Sequence, residues 1–242
     1  MKICIAQTKP IKGNVKNNLE HHINMVKLAV LHNADMIIFP ELSLTGYEPS
    51  LANTLATNKD DSSFDKLQQL SDGENILIGV GMPINSGDGI NISMLIFQRK
   101  KAREIYSKKY LHEDEYPFFV SGENITGSKL GLPDIALAIC YEISIPQHSE
   151  NAAKNGADFY IASVAKTHSG VAKAIETLSA IAAKYSMTVL LSNCAGHCDD
   201  FDCGGMSSIW SNKGALLVQL NDRDEGILMI DSITQETTSI IL

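Results

Sequence analysis

Asp134-Ile-Ala-Leu-Ala-Ile-Cys140 is an apolar run of strand length, and Tyr141-Glu142-Ile143 and Pro146 follow it at once. A run without polar alternation reads as a buried strand, and the chain has to turn just after Cys140. Outward from it, residues 147–155 have helical character and stop at Gly156. Residues 158–163 are strand-like again. Val171, Ile175, Leu178, Ile181 and Tyr185 then share one face of a longer helix, and 188–193 is the next strand. Strands are expected at 207–210, 215–220 and 225–230, with turn chemistry at Asn212-Lys-Gly214 and Asn221-Asp-Arg-Asp224.

Upstream the same order occurs. Residues 2–7 form a strand, and Val15, Leu19, Ile23, Val26 and Val30 recur at helical spacing behind a candidate N-cap, Asn14. Residues 34–39 are a second apolar run closed by Pro40, and Phe64, Leu67 and Leu70 mark a short helix. Strands follow at 75–82, 92–98 and 102–108, ahead of a loop from 111 to 132. Strand-helix-strand-helix-strand-strand therefore occurs twice, without a sequence repeat or a low-complexity linker. Such alternation favours sheets covered by helices. With about eleven strands and four helices, two sheets packed face to face with helices outside bury both faces of each. The expectation is an α/β protein, one domain over 1–242.

Composition narrows the function. Of 242 residues 44% are hydrophobic and 20% charged, as in ordinary globular proteins. A net charge of −8 argues against nucleic acid, whose phosphates need a basic face. No apolar run approaches the roughly 20 residues that span a bilayer. The chain opens directly on a strand, which does not read as a signal peptide. Five cysteines are too sparse for a disulfide scaffold, so a cytoplasmic location is expected.

Three groups stand at strand ends. A thiol at Cys140 could attack an acyl carbon once its proton is removed, although a cysteine closing an apolar strand is also ordinary core material. Cys4, inside the first strand, is read as core. Glu41, after Phe39-Pro40, is either solvated or held in a partly dry pocket suited to proton transfer. Lys108 lies in a basic cluster with Arg99, Lys100, Lys101, Arg103 and Lys109. Most of that cluster is a solvated face, but one buried lysine could stabilise an oxyanion.

Together these segments match a family. The chain resembles the nitrilase-like carbon–nitrogen hydrolases, in an amidase-type branch, over nearly all its length. Phe39-Pro40-Glu41-Leu42-Ser43-Leu44-Thr45-Gly46-Tyr47 is similar to the family's glutamate motif. Tyr106-Ser107-Lys108-Lys109-Tyr110-Leu111 is similar to its lysine motif, and Ile139-Cys140-Tyr141-Glu142-Ile143 with Pro146 to its nucleophile motif. Gly156-Ala157-Asp158 and Ser192-Asn193-Cys194-Ala195-Gly196 match lesser landmarks.

The resemblance implies a four-layer α-β-β-α sandwich, paired into dimers or higher homo-oligomers. It implies Glu41 as general base, Lys108 rather than Lys109 as oxyanion stabiliser, Cys140 as nucleophile, and a second glutamate. That glutamate is Glu115, seven residues before Gly122, with Glu113 as a competitor. The implied reaction is hydrolysis of a small amide or N-carbamoyl compound through a Cys thioester, without a cofactor. Two departures are visible: Tyr110 replaces the usual histidine, and Ser144-Ile145-Pro146-Gln147 replaces a commoner Arg-Phe-Pro-Glu run.

Substrate contacts are expected from Tyr47, Tyr141, Lys166 and His168, with Pro117, Phe118 and Thr167 nearby. Lys166 or His168 could pair a substrate carboxylate. The alternative function is a non-catalytic member that binds a small ligand or partner protein, or one that holds metal at Cys194, His197, Cys198 and Cys203. The Cys-x3-Cys and Cys-x4-Cys spacings are not paired zinc knuckles and no second ligand pair lies elsewhere, so no metal is expected. There is no G-x-S-x-G elbow, P-loop or G-x-G-x-x-G, and Gly79-Val-Gly81 is too short to count.

Overall fold

The computed structural model describes residues 1–123 and 135–242; the expected strand start at Asp134 and positions 124–132 of the expected loop lie outside the described residues. In chain order the strands are β1 (Lys2–Gln7), β2 (Met36–Ile38), β3 (Leu77–Ser86), β4 (Gly89–Phe97), β5 (Glu104–Ser107), β6 (Ile135–Ile139), β7 (Phe159–Val164), β8 (Thr188–Asn193), β9 (Ala195–Cys198), β10 (Phe201–Gly204), β11 (Ser208–Trp210), β12 (Leu216–Gln219), β13 (Gly226–Asp231) and β14 (Thr237–Ile241). The α-helices are α1 (Val15–Leu31), α2 (Ala52–Leu55), α3 (Asp65–Glu74), α4 (Pro146–Lys154) and α5 (His168–Tyr185).

One sheet runs β14-β13-β1-β2-β3-β4-β5 and the second β12-β11-β8-β7-β6. Their central strands, β1-β2-β3 and β6-β7-β8, are parallel. Parallel neighbours need long crossovers, which α1, α2 with α3, α4 and α5 supply. Strand period then sorts residues that all look apolar. Ile3, Ile5, Met36 and Ile38 face Ile135, Leu137, Ile139 and Ile161 between the sheets. Cys4, Ala6, Ile37 and Phe39 point the other way, onto Leu19, Val26 and Ala29 of α1 and Leu67 of α3. Ala136, Ala138, Tyr160 and Ala162 pack on Val171, Ala174 and Leu178 of α5. Three apolar seams between four layers make the α-β-β-α sandwich that the sequence predicted.

The first helix starts where expected, and the cap of the last was not foreseen. Asn14 caps α1 by accepting the Asn17 N–H, and Thr167 caps α5 by accepting the Gly170 N–H. Three regions differ from expectation. The second apolar run is a strand only over β2, because Pro40 has no N–H with which to continue the ladder. The stretch 195–204, to which the sequence assigned no strand, is a hairpin, β9–β10, turning at Asp199 with φ 46°. β14 was also not expected; it pairs along β13 at the sheet edge. Among the described residues no helix is long and apolar enough to cross a membrane.

Candidate active site

The site forms where the C-terminal ends of the parallel strands of both sheets converge. Thr8, just after β1, pairs with Cys194, just after β8. Serine hydroxyls stitch the sheets there: Ser163 Oγ donates to the Phe39 carbonyl at 2.8 Å, and Ser192 Oγ to the Ala6 carbonyl at 2.7 Å. Buried backbone acceptors are thereby satisfied across the seam.

Glu41 is delivered by the turn after β2. Leu42 adopts φ 50°, and Gly81 lies directly beneath: a Cβ there would stand 2.2 Å from the Leu42 nitrogen and 2.5 Å from the Pro40 carbonyl oxygen. Only glycine admits that approach. Lys108 follows β5, its N–H donating to Ile92 O and its own carbonyl accepting from the Gly122 N–H, both at 2.8 Å. The Lys108 side chain is wholly enclosed. Its Nζ donates to Glu41 Oε1 at 2.8 Å and to Glu115 Oε1 at 2.6 Å. Glu115, rather than exposed Glu113, is the partner, and Lys108, rather than Lys109, the buried cation. Glu115 is braced further by the Tyr47 hydroxyl at 2.9 Å and the His112 N–H at 2.7 Å. Glu41 Oε2 accepts the Ala165 N–H at 3.2 Å.

Cys140 comes from the opposite sheet, immediately after β6. It opens a short 3-10 turn, Cys140–Ser144, at φ 42°, a left-handed conformation that costs a non-glycine residue about 1–2 kcal/mol. The other four cysteines are buried, whereas Cys140 is part-exposed. Its thiol and the Glu41 carboxylate lie close enough to influence each other's protonation.

Burial and the charges around the site set the protonation states. Burial raises the Glu41 carboxyl, with the Lys108 ammonium opposing and Glu115 adding to the rise. Burial also pushes the Cys140 thiol up to about 11, with Glu41 reinforcing this and Lys166 and Lys108 pulling back. Burial works against the Lys108 charge, but Glu41, Cys140 and Glu115 outweigh it and hold the ammonium firmly protonated. At neutral pH the thiol therefore keeps its proton beside a carboxylate able to take it, over a permanent cation.

Above the thiol is a cleft of about 270 Å3 lined by Tyr47, Tyr141, Lys166, Thr167 and Phe201, among others, with Glu115 and Cys140 in its wall. Tyr47, Tyr141 and Lys166 thus lie where the sequence suggested. His168 does not: it is exposed on the first turn of α5 and is not part of the lining, and neither are Pro117 and Phe118. His112, Asp114 and Phe201 were missed. His112 stands edge-on to Tyr141 at 5.2 Å, and Phe201 arrives on the unforeseen hairpin.

Beneath the site a second buried network joins the lysine and cysteine segments. Glu142 Oε1 accepts the Lys109 N–H at 2.8 Å; its Oε2 accepts the Ile139 N–H at 2.8 Å and the Tyr106 hydroxyl at 2.7 Å. His148 lies between the Tyr106 and Tyr160 hydroxyls at 2.9 and 2.8 Å. Burial holds the His148 imidazole below its ordinary pKa against the pull of Glu142. Because Tyr106 gives its proton to Glu142, Nε2 of the neutral ring donates to Tyr106 and Nδ1 accepts from Tyr160.

Residues 2–240 match the family described as Carbon-nitrogen hydrolase. The chain belongs to that family. A protein named "Hydrolase in pqqF 5'region" from Pseudomonas protegens is 27% identical over 95% of this chain and 81% of its own length. The glutamine-dependent NAD(+) synthetase of Thermotoga maritima is 23% identical across 100% of this chain, which spans only 44% of that enzyme. Among solved structures, the NitN amidase from Nesterenkonia sp. AN1 superposes with a TM-score of 0.87 at 21% identity, covering 97% of this chain and 93% of that one. One form of that amidase carries the acetamide moiety of fluoroacetamide on its active-site cysteine. At that identity the likeness speaks to fold, and it agrees with the layered architecture above.

Proposed function

We propose that this member of the carbon–nitrogen hydrolase family is a thiol amidohydrolase acting on small linear amides or N-carbamoyl compounds, with Cys140 as nucleophile. The observation that carries the reading is the convergence of a part-exposed thiol, a buried carboxylate and an enclosed ammonium at one small cleft. In the first half-reaction Glu41 takes the thiol proton as Cys140 Sγ bonds to the amide carbon. The oxyanion is met by the third N–H of Lys108 and the Tyr141 backbone N–H, which stabilise charge where it develops. Glu41 then gives its proton to the leaving nitrogen, the C–N bond breaks, and a thioester remains. In the second half Glu41 deprotonates water, which adds to the thioester carbon. Collapse releases the acid, and the proton returns to sulfur. Glu115 holds Lys108 in place throughout, so it acts as a positioning residue.

Lys166 brings a positive charge to the cleft mouth, which favours substrates bearing a carboxylate away from the scissile amide. The likeness to glutamine-dependent synthetases makes glutamine a sensible member of the test panel. The experiment is ammonia release from a panel of neutral amides, carboxylate-bearing amides and N-carbamoyl amino acids, with acid-quenched mass spectrometry for an acyl adduct on Cys140. Turnover with a Cys140-linked adduct, both lost in Cys140→Ala, is expected. Undiminished turnover by Cys140→Ala refutes the assignment. Lys166→Met should raise KM for the acidic amides selectively; an equal effect on neutral amides removes the carboxylate from the proposal.

A further inference from the structure

Three thiols outside the proposed mechanism meet in the seam between the sheets. Cys194 follows β8, Cys198 ends β9 and Cys203 lies in β10. Their sulfurs all lie within 4.8 Å of one another, and Cys203 Sγ is 3.3 Å from Cys198 Sγ. All three are buried and none is in a disulfide. Each is fixed by separate backbone pairing: Cys194 to Thr8, Cys203 to Thr167, and Cys198 to Phe201 across the hairpin. The spacing that looked wrong for a zinc knuckle is therefore corrected by folding.

We propose that Cys194, Cys198 and Cys203 form a trithiolate site for a soft d10 metal ion, separate from the catalytic thiol. An ion about 2.3 Å from each sulfur requires sulfurs about 3.8 Å apart in a tetrahedral array, or about 4.0 Å in a planar one. The Cys198 and Cys203 sulfurs, at 3.3 Å, stand somewhat closer than that, and all three lie within 4.8 Å of one another, a difference that small side-chain rotations can take up. The donor set selects the metal. His197 is paired outward with Asp202 and exposed, so imidazole and carboxylate stay out of the cluster. All-sulfur coordination excludes hard ions such as magnesium and calcium and suits Cu(I) or Zn(II). Binding displaces the thiol protons that the cluster holds.

Location gives the ion a consequence. Phe201 and Thr167, both in the cleft lining, are backbone-paired to Cys198 and Cys203 respectively. A metal bridging the hairpin to the end of β8 would clamp one wall of the cleft.

The test uses full-length Cys140→Ala protein, reduced and anaerobic, so that the proposed nucleophile does not compete. It is titrated with Cu(I) against a chromophoric chelator, and separately with Zn(II). One equivalent of either ion, with a sulfur-to-metal charge-transfer band and a raised Tm, supports the site, and the tighter ion identifies the geometry. Adding Cys198→Ser should weaken binding by more than about 100-fold, beyond what a change outside the ligand shell costs. Cys203→Ala serves the same purpose if the first variant fails to fold. Absence of a one-equivalent complex overturns the proposal, and so does binding unaltered in folded ligand variants. The outcome is independent of whether Cys140 is the nucleophile.

Discussion

Replacing Glu142 with Gln changes almost no volume, yet it should disturb both halves of the active site. Three donors point at this carboxylate: the Lys109 and Ile139 N–H groups and the Tyr106 hydroxyl. A glutamine must turn its NH2 toward at least one of them. The less costly orientation faces Lys109, leaving one buried N–H unsatisfied at about 1–3 kcal/mol. It also weakens the other two bonds from charge-assisted to neutral, at about 1 kcal/mol each. The total is roughly 3–5 kcal/mol, a large part of a stability of about 5–15 kcal/mol. For a chain of this size that lowers Tm by roughly 6–20 °C. Because Lys109 and Ile139 adjoin Lys108 and Cys140, the reacting groups lose register as well. A misplacement near 1 Å costs about 100-fold in rate. The assay is thermal unfolding by circular dichroism beside initial rates of ammonia release, with exposed Glu176→Gln as the charge-matched control. A Glu142→Gln protein that melts within about 2 °C of the parent and keeps its kcat refutes the reasoning. A lowered Tm with unchanged kcat would retain the structural role and remove the positioning one.

Gly81→Ala should displace the Glu41 turn, since its Cβ would overlap Leu42 and Pro40. A loss of about 1–3 kcal/mol in unfolding free energy and a fall in kcat are expected, read by urea titration and kinetics. Cys140→Gly and Cys140→Ala should both be inactive, but the glycine form should unfold about 0.5–1 kcal/mol harder, because φ 42° no longer strains it. Equal stabilities would count against strain at the nucleophile. Acid should destabilise the fold through His22, which burial drives down to about 3 while it lies between Asn18 and Ser43. A depressed folded-state value favours the neutral ring, so this contribution is complete above about pH 6.5 and declines as pH falls toward 3. Linkage puts the loss between pH 7 and pH 4 at about 3 kcal/mol, and the His22→Gln variant should show a flatter profile over that window.

The layers and the three central groups were legible because each is encoded locally. The run 135–139 is apolar throughout and 159–164 is broken only by Ser163, and α1 and α5 carry their own caps and stripes. Glu41, Lys108 and Cys140 sit next to such runs, so their placement at strand ends could be read directly. Choosing Glu115 over Glu113 rested on register alone until the Lys108 contact appeared. The hairpin β9–β10 was hidden because Ala195-Gly-His-Cys198 has few strand-forming side chains; it is held by Thr8 and Thr167 from far along the chain. Phe201 was missed with it. Gly81 was noticed only as part of a failed nucleotide motif, whereas its use is to let another backbone pass. Close approach of this kind leaves no trace in composition. His168 was misjudged for the opposite reason: nearness in sequence to Lys166 says nothing about which way a helix turn faces.

The reacting atoms are shared between two independent slabs. The carboxylate and the ammonium ride on one sheet and the sulfur on the other, and only the interdigitated aliphatic layer with its serine stitches fixes their relative height. Alignment for chemistry is therefore a property of that whole interface, much as two halves of a vernier are read only where they slide together. Substitutions deep among Ile92, Ile161 or Leu190 lie far from any bond that breaks, yet they act on the ruler itself.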